Sequence, residues 1–251
     1  MEFKTMQIKT ILIVLGLFFS SMSFATINIG TLMFKPPYIF SPGNGFDIDL
    51  AQLLCQHLKE QCNFIPMGMD ELYNKLKEGK VDLAMGGIPI SYALKTDFIF
   101  SLPYMLSKGQ FLVLKNNPIN SINGLQGQTI GVLRNRLNGG LFYEYLSEHY
   151  HKLFQIKLYD DIEDVLADLH NKTILAAFFN RSSVNYWTQE GGKQFKPLGN
   201  VHTIGDGIAI LALPKNKELI LRINSLLREI EKNNTYIKLY DTYLRMSKFI
   251  S

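Results

Sequence analysis

The feature that most constrains the fold is an alternation of short β-rich runs with stripes of apolar residues at helical spacing. In the first such stripe, Leu50, Leu54 and Leu58 share one helical face, and Asp47 is a candidate N-cap. The first block is predicted to run through strand 27–31, helix 46–58, strand 62–66, helix 70–78 and strand 81–85. This order indicates βαβ units built on a parallel sheet.

The same order restarts after a turn-rich stretch at residues 116–124. The second block is predicted to contain strands 128–133, 153–159 and 173–179 and helices 140–148 and 160–170. Its last strand is almost unbrokenly apolar, as expected where helices cover both faces of a sheet. A strand at 208–213 and helices at 215–232 and 235–247 follow. The chain therefore reads as two α/β lobes.

The N-terminal segment has the organisation of a secretory signal peptide. Lys4 and Lys9 precede an apolar run at residues 11–19, and Ser23 and Ala25 are small residues at the −3 and −1 positions of a cut after residue 25. The alternative is an uncleaved anchor, but a membrane span needs about 20 apolar residues. We therefore expect residues 1–25 to be removed on export.

Export would allow the two cysteines to form a disulfide, because disulfides persist in oxidising compartments. Cys55 and Cys62 are the only cysteines in the chain, so we expect a structural disulfide between them. A redox-active pair is the alternative, but the spacing is C-x6-C rather than C-x-x-C.

Composition excludes several classes of protein. The 251 residues are 47% apolar, which excludes a disordered chain, and the net charge of +4 is spread without a basic run. Nucleic acid is therefore not an expected partner. The five histidines form no metal-binding spacing, and no phosphate loop, dinucleotide fingerprint or nucleophile elbow is present. We expect neither a metal nor a cofactor.

Two loops are candidates for a ligand site. The aromatic-rich loop 32–38 follows the first strand, and Met85-Gly86-Gly87-Ile88-Pro89 follows the third. Ligands bind beyond the carboxyl ends of parallel strands, so both loops should reach one cleft. Ordinary packing would explain any one of these residues equally well.

The chain resembles the bacterial family 3 of extracytoplasmic solute-binding proteins, which serve ABC transporters of polar amino acids. The resemblance rests on residues 30–38, on Gly45-Phe46-Asp47-Ile48-Asp49-Leu50-Ala51, on residues 81–104, on residues 125–132 and on Gly205-Asp206-Gly207-Ile208-Ala209. It covers residues 26–247. Cys55 and Cys62 also lie where some binders of basic amino acids carry a disulfide.

This resemblance implies a two-lobed periplasmic-binding-protein fold of type II, an α/β fold with parallel-rich sheets flanked by helices. Two crossover hinge strands are expected near residues 112–115 and 203–207. Lobe 1 would comprise residues 26–113 and 206–251, and lobe 2 residues 114–205. A ligand must contact both lobes to favour closure, and the closed form would present a face to a membrane permease.

Three family positions depart from the usual pattern. Leu94 stands where the family usually has the arginine that pairs with the ligand α-carboxylate, and Asn180 where an aspartate takes the α-ammonium. Leu32 replaces an early acidic residue of some basic amino acid binders. Leaving one charge of a buried pair without its partner costs roughly 3 to 5 kcal/mol. Either the anion partner has moved, or the ligand is not an ordinary free α-amino acid.

We hypothesise that Arg134 or Arg136 reaches the ligand anion from a lengthened second-lobe loop. The alternative is that both are solvated loop charges, and Lys95 is a further candidate. By position in the family, the other expected ligand-binding residues are apolar or neutral: Phe34, Tyr38, Met69, Gly86, Gly87, Ile88, Asn138 and Asn180. Asp206 is expected to act in the hinge turn.

We therefore expect a monomeric periplasmic binding protein for a small polar, amino-acid-like solute, which it delivers to an ABC importer without catalysing a reaction. One rival is an enzyme on the same scaffold that resembles the cyclohexadienyl dehydratases, for which Glu144 and Glu71 are the nearest candidate acids. The other rival is a sensory binding domain.

Overall fold

A computed structural model describes residues 26–134 and 139–244. The predicted signal segment therefore lies outside the described residues, as do Arg136 and Asn138. No helix within the described ranges has the length and apolar character needed to cross a bilayer.

The first sheet forms from the first predicted block and the returning chain. Its strands are β1 (Thr26–Leu32), β2 (Gln61–Met67), β3 (Leu83–Met85), β4 (Ile99–Phe100) and β10 (Leu211–Ala212), in the order β2-β1-β3-β10-β4. β1 pairs in parallel with β2 and β3, whereas β10 is antiparallel to its neighbours. Its helices are α1 (Phe46–Leu58), α2 (Met69–Lys77), α6 (Lys217–Lys232) and α7 (Thr235–Tyr243).

The second sheet repeats the arrangement with the middle of the chain. Its strands are β5 (Lys108–Leu114), β6 (Thr129–Leu133), β7 (Gln155–Tyr159), β8 (Ala176–Asn180) and β9 (Phe195–Thr203), in the order β7-β6-β8-β5-β9. β6 is parallel to β7 and β8, and β5 is antiparallel to β8 and β9. Its helices are α3 (Leu141–His149), α4 (Ile162–His170) and α5 (Arg181–Glu190). The fold is thus the expected two-lobed α/β fold.

The first crossover lies earlier than predicted. β5 pairs within the second sheet from Lys108 onward, so residues 108–113, predicted for lobe 1, pair in the second sheet. The physical reason is that Phe111 and Leu112 are fully buried and pack into two different apolar clusters of that sheet. The chain therefore changes sheets through residues 101–107 and not near residues 112–115.

The two connecting segments are joined by backbone hydrogen bonds. Ile204 N donates to Ser107 O at 2.9 Å, and Ile208 N donates to Met105 O at 2.7 Å. The return segment thus includes the predicted residues 203–207. Paired crossing segments of this kind allow two rigid bodies to move about a narrow hinge.

The predicted bounds and cap of α1 and the predicted strand 208–213 can be compared with the structure. α1 begins and ends where predicted, but its N-cap is Gly45 rather than Asp47, which lies fully buried in the first turn. The first amides of α1 donate instead to the preceding loop, Phe46 N to Pro37 O and Asp47 N to Tyr38 O. Strand 208–213 shortens to β10, preceded by isolated bridges at Ile208.

The predicted disulfide is present. Cys55 on α1 and Cys62 on β2 are joined, with their Cα atoms 6.2 Å apart. The bond ties α1 to the edge strand of the first sheet and closes a short segment, so its stabilisation of the fold should be at the low end of about 2 to 4 kcal/mol.

Candidate functional site

The candidate site lies where the carboxyl ends of the parallel strands of both lobes face each other, the usual position of ligands in such sheets. α5 of the second lobe contacts the loop that follows β1. Ser183 Oγ donates to Pro36 O at 2.7 Å, and Phe34 packs edge-on against Trp187 with ring centroids 6.4 Å apart. The two lobes therefore contact each other directly across the cleft.

Two cavities along this junction are lined in part by the loop that follows β1. The smaller, of about 20 Å³, has room for little more than one water, and its lining residues are Lys35, Gly87, Pro89, Leu133, Phe142, Phe178, Phe179, Asn180 and Ser183. The larger has a volume of about 650 Å³, which is ample for a small solute. Its first-lobe lining is Leu32, Met33, Phe34, Lys35, Phe40, Ser41, Pro42, Met67, Gly68 and Met69, and its second-lobe lining is Leu133, Arg134, Asp160, Asp161, Ile162, Glu163 and Asp164.

Lys35 is the charged residue that borders both cavities. Its backbone is fixed in a tight turn, because Lys35 N donates to Ile39 O and Lys35 O accepts from Tyr38 N. Its side chain is buried, with the residue only 9% exposed. Nζ donates to Gly87 O at 3.1 Å, and Nζ lies 6.0 Å from the centre of the Tyr38 ring.

A buried carboxylate, Asp47, is hydrogen-bonded to the same glycine that accepts from Lys35. Gly87 N donates to Asp47 Oδ2 at 2.7 Å, and the Tyr104 hydroxyl lies 2.9 Å from both carboxylate oxygens. Gly87 therefore connects the two charges, since its amide binds Asp47 and its carbonyl binds Lys35.

Burial shifts the protonation equilibria of this network. It lowers the pKa of Lys35 to about 8, a shift that the negative charge of Asp47 opposes. Burial also raises the pKa of Asp47 to about 6, while hydrogen bonds from Gly87 and Tyr104 act in the opposite direction. Burial, assisted by Asp47, raises the pKa of Tyr104 well above its ordinary value, so its hydroxyl stays a donor.

The glycine turn after β3 permits the close approach of these groups. Gly87 has φ +61°, and a Cβ there would lie 2.6 Å from the Tyr38 ring. At Gly86, with φ +144°, a Cβ would lie 2.9 Å from Leu32 Cγ. Only glycine fits this conformation and spacing without displacing a neighbour.

Comparison with known proteins identifies the family to which the chain belongs. Residues 27–246 match the model of bacterial extracellular solute-binding proteins, family 3. The chain belongs to this family. It is 29% identical over 203 residues to an arginine-binding periplasmic protein of Mannheimia haemolytica, covering 80% of this chain and 81% of that protein. It is 28% identical to a histidine-binding periplasmic protein of Escherichia coli K12, covering 79% and 78%.

The fold agrees with solved structures of similar proteins. The crystal structure of an arginine 3rd transport system periplasmic binding protein from Legionella pneumophila is 32% identical, with a TM-score of 0.81. The match covers 87% of this chain and 99% of that one. An ancestral arginine-binding protein bound to arginine is 27% identical with a TM-score of 0.75, and the match covers 87% and 98% of the two chains.

Leu94, where the resemblance implies a carboxylate-binding arginine, is a core residue. Leu94 ends a short 3-10 turn (Tyr92–Leu94), is buried, and packs in the apolar cluster of the first lobe. Its neighbour Lys95 forms an exposed ion pair with Asp206 at 2.9 Å, so it is directed toward the hinge segment. That pairing agrees with the expected hinge role of Asp206 but does not test a ligand contact.

Asn180, where the resemblance implies an ammonium-binding aspartate, borders the smaller cavity. Asn180 is nearly buried at the end of β8 and caps α5, with Oδ1 accepting from Ser182 N at 3.0 Å. Because the cap uses Oδ1, a ligand at this position would meet the Nδ2 donor. Ligand contact by Asn180 stays a prediction.

The remaining predicted site residues fall into three groups. Phe34, Met69 and Arg134 line the larger cavity, and Gly87 lines the smaller one. Tyr38 and Ile88 are fully buried in the first-lobe core, and Gly86 is buried beside Leu32. Arg136 and Asn138 lie outside the described residues.

Arg134 is already engaged with a carboxylate of its own lobe. Its Nε lies 3.2 Å from Asp160 Oδ1, and both side chains are partly or largely exposed. Asp160 begins an acidic edge of the larger cavity, which continues through Asp161, Glu163 and Asp164.

Sequence reasoning missed Lys35, Ser183 and this acidic edge. The loop containing Lys35 was selected for its aromatic residues, although Lys35 is the only charged residue between β1 and Asp47. A single cation among apolar residues and prolines, directly after a parallel strand, is the signal that could have indicated it.

The candidate acids of the enzyme interpretation lie elsewhere. Glu71 on α2 is exposed and lies 4.0 Å from Lys75, and Glu144 on α3 is exposed as well. Neither borders either cavity. Within the described ranges, no three His, Cys, Asp or Glu side chains are placed to share a metal ion.

Proposed function

We propose that this protein is a periplasmic solute-binding protein that holds a small polar, amino-acid-like solute between its lobes and delivers it to an ABC importer. The observation that carries the proposal is the cavity of about 650 Å³ lined by both lobes. A ligand shifts the equilibrium toward closure only as far as it contacts the closed form better than the open one. Lining from both lobes meets that requirement.

The charges around the cavity suit a solute with groups of both signs. Lys35 and Arg134 offer cations, while Asp160, Asp161, Glu163 and Asp164 offer carboxylates along the second-lobe edge. The similar proteins from Mannheimia haemolytica and Legionella pneumophila are named for arginine. Arginine and its relatives are therefore the first ligands to test.

We also propose that the protein acts after export, as a monomer that meets a permease, and without catalysis. The N-terminal segment has the features of a cleavable signal peptide, and the named relatives are periplasmic. Glu71 and Glu144 border neither cavity, which supports the absence of catalysis in this proposal.

A thermal-shift screen of the mature chain tests this function. The screen would contain amino acids, dipeptides and small carboxylates, because a ligand that binds only the folded state raises the unfolding midpoint by mass action. We expect at least one amino-acid-like solute to raise the midpoint at micromolar concentration without being converted. Consumption of prephenate or of a bound compound would overturn the proposal, and so would the absence of any stabilising solute.

A further inference from the structure

Lys35 has an unused capacity to bind an anion. An ammonium group carries three donors, and among the residues that the structure describes Gly87 O is the one hydrogen-bond acceptor of Nζ. Asp47 is not within ion-pair distance, and its carboxylate oxygens accept from Gly87 N and Tyr104 OH. The residue is nine-tenths buried and borders both cavities.

Among the described residues, Arg134 is the other cation that lines either cavity. Arg134 lies against Asp160 at 3.2 Å, and Lys95 lies against Asp206 at 2.9 Å. Leu94 leaves no charge at the position where the family usually holds an arginine. Lys35 is therefore the buried cation that an anionic group in these two cavities would meet, whereas Arg134 is partly exposed and lies beside Asp160.

Lys35 is not matched by a carboxylate placed to bind an adjacent ammonium. The lining of the smaller cavity contains Asn180 and Ser183 as its uncharged polar side chains and no acidic residue. The carboxylates of the larger cavity lie on the second-lobe edge, at Asp160, Asp161, Glu163 and Asp164. Lys35 lines this larger cavity as well, and among the described residues no ion pair joins it to any of these carboxylates.

We infer that Lys35 is the residue that binds the ligand carboxylate, and that the ligand needs no free α-ammonium beside it. The ligand class is a carboxylic acid with a cationic group at its far end, such as a des-amino or N-acylated basic amino acid. This inference rests on the proposed function and names the solute that the same cavity selects. The lowered pKa of Lys35 agrees with a site that lacks its counter-ion, because a bound carboxylate would favour the charged form.

Three probes that differ by one group each test the inference on the unmodified mature protein. L-Arginine carries both α groups, 5-guanidinopentanoate lacks the α-ammonium, and agmatine lacks the carboxylate. By isothermal titration calorimetry, we expect 5-guanidinopentanoate to bind at least as tightly as L-arginine. We expect agmatine to bind about 100-fold more weakly, as for the loss of a buried hydrogen-bonded charge pair.

Variants then assign the preference to Lys35. Lys35→Gln should lower the affinity for 5-guanidinopentanoate about 100-fold and leave the affinity for agmatine nearly unchanged. The protein should then bind the two probes about equally. Lys35→Arg should restore part of the preference, because it keeps the charge. Lys80→Gln is the matched control, since Lys80 is an exposed first-lobe lysine paired with Glu78, and it should leave all three affinities unchanged.

A change at Asn180 provides the converse test. Asn180→Asp supplies an acid where the α-ammonium would lie and retains an oxygen that can cap α5. We expect this variant to increase the affinity for L-arginine, relative to that for 5-guanidinopentanoate, by about tenfold.

The outcomes separate the inference from the proposed function. If a probe binds but Lys35→Gln keeps the preference for a carboxylate, or if agmatine binds the unmodified protein as tightly as 5-guanidinopentanoate, the inference is wrong and the proposed function stands. If none of the three probes binds while another solute stabilises the protein in the screen, the inferred ligand class is wrong. If no solute binds at all, both fail.

Discussion

The two sides of the cleft hold their charges under different physical conditions. On the first lobe, Lys35 is nine-tenths buried and donates to Gly87 O, while Gly87 N and the Tyr104 hydroxyl both donate to Asp47. On the second lobe, Arg134 and its partner Asp160 are partly or largely exposed, with side-chain exposures of 31% and 69%. A desolvated charge interacts strongly with a ligand, whereas water and salt screen an exposed pair. We therefore expect specificity to come from the first lobe and adjustable affinity from the second.

Substitution of the glycine that connects the first-lobe charges should have the largest effect. Gly87→Ala places a Cβ 2.6 Å from the Tyr38 ring at φ +61°, and we expect it to lower the free energy of unfolding by about 3 kcal/mol. Chemical denaturation measures this loss. Ligand affinity should fall as well, because Gly87 O positions Lys35.

The matched control is Gly43→Ala, since Gly43 has φ +90° but no neighbour within 4 Å of the added Cβ. It should cost only about 1 kcal/mol of conformational strain. Equal losses at the two glycines would show that the first-lobe turn is not tightly packed, and the contrast between the lobes would weaken.

Raising the pH should have the second largest effect, which is a loss of affinity for the ligand. The pKa of Lys35 is about 8, and only the protonated form binds a carboxylate, so binding is retained below pH 8 and lost as the pH rises through it. With 5-guanidinopentanoate, which has no group titrating in this range, affinity should be about tenfold weaker at pH 9 than at pH 7. Calorimetry at the two pH values measures the change.

The other titratable groups that face Lys35 do not account for a change in affinity between pH 7 and pH 9. Asp47 has a pKa of about 6 and is ionised throughout, and burial raises the pKa values of Tyr38 and Tyr104 above the range. Lys35→Arg supplies the control, because arginine stays charged and its affinity should not change between pH 7 and pH 9. A tenfold loss in that variant too would assign the titration to another group.

The same contrast explains what could be predicted from sequence. Helix α1 begins and ends where predicted because its apolar stripe is a local pattern. The expected boundary of lobe 1 at residue 113 was wrong, because the local sequence does not show which sheet a strand joins. Pairing with β8 and β9 decides that question, and both partners are distant in sequence.

Lys35 was missed for a related reason. A single lysine in a loop is usually solvated, and its burial here depends on contacts between lobes, such as Ser183 with Pro36 and Phe34 with Trp187. By contrast, the absence of the usual charges at Leu94 and Asn180 was visible in the sequence. An absence indicates that the ligand is unusual, but only the folded cleft shows which cation remains.

Truncation of the second-lobe arginine should have the smallest effect. Arg134→Ala removes a cation that lines the larger cavity but is already paired with the exposed Asp160. Exposed ion pairs contribute about 0 to 1 kcal/mol, so we expect the affinity for 5-guanidinopentanoate to change less than threefold at physiological salt. Asp160→Asn should change it as little, since it breaks the same pair from the other side. A loss near 100-fold for Arg134→Ala alone would place the anion partner on the second lobe, and the buried lysine would then be a structural residue of the first.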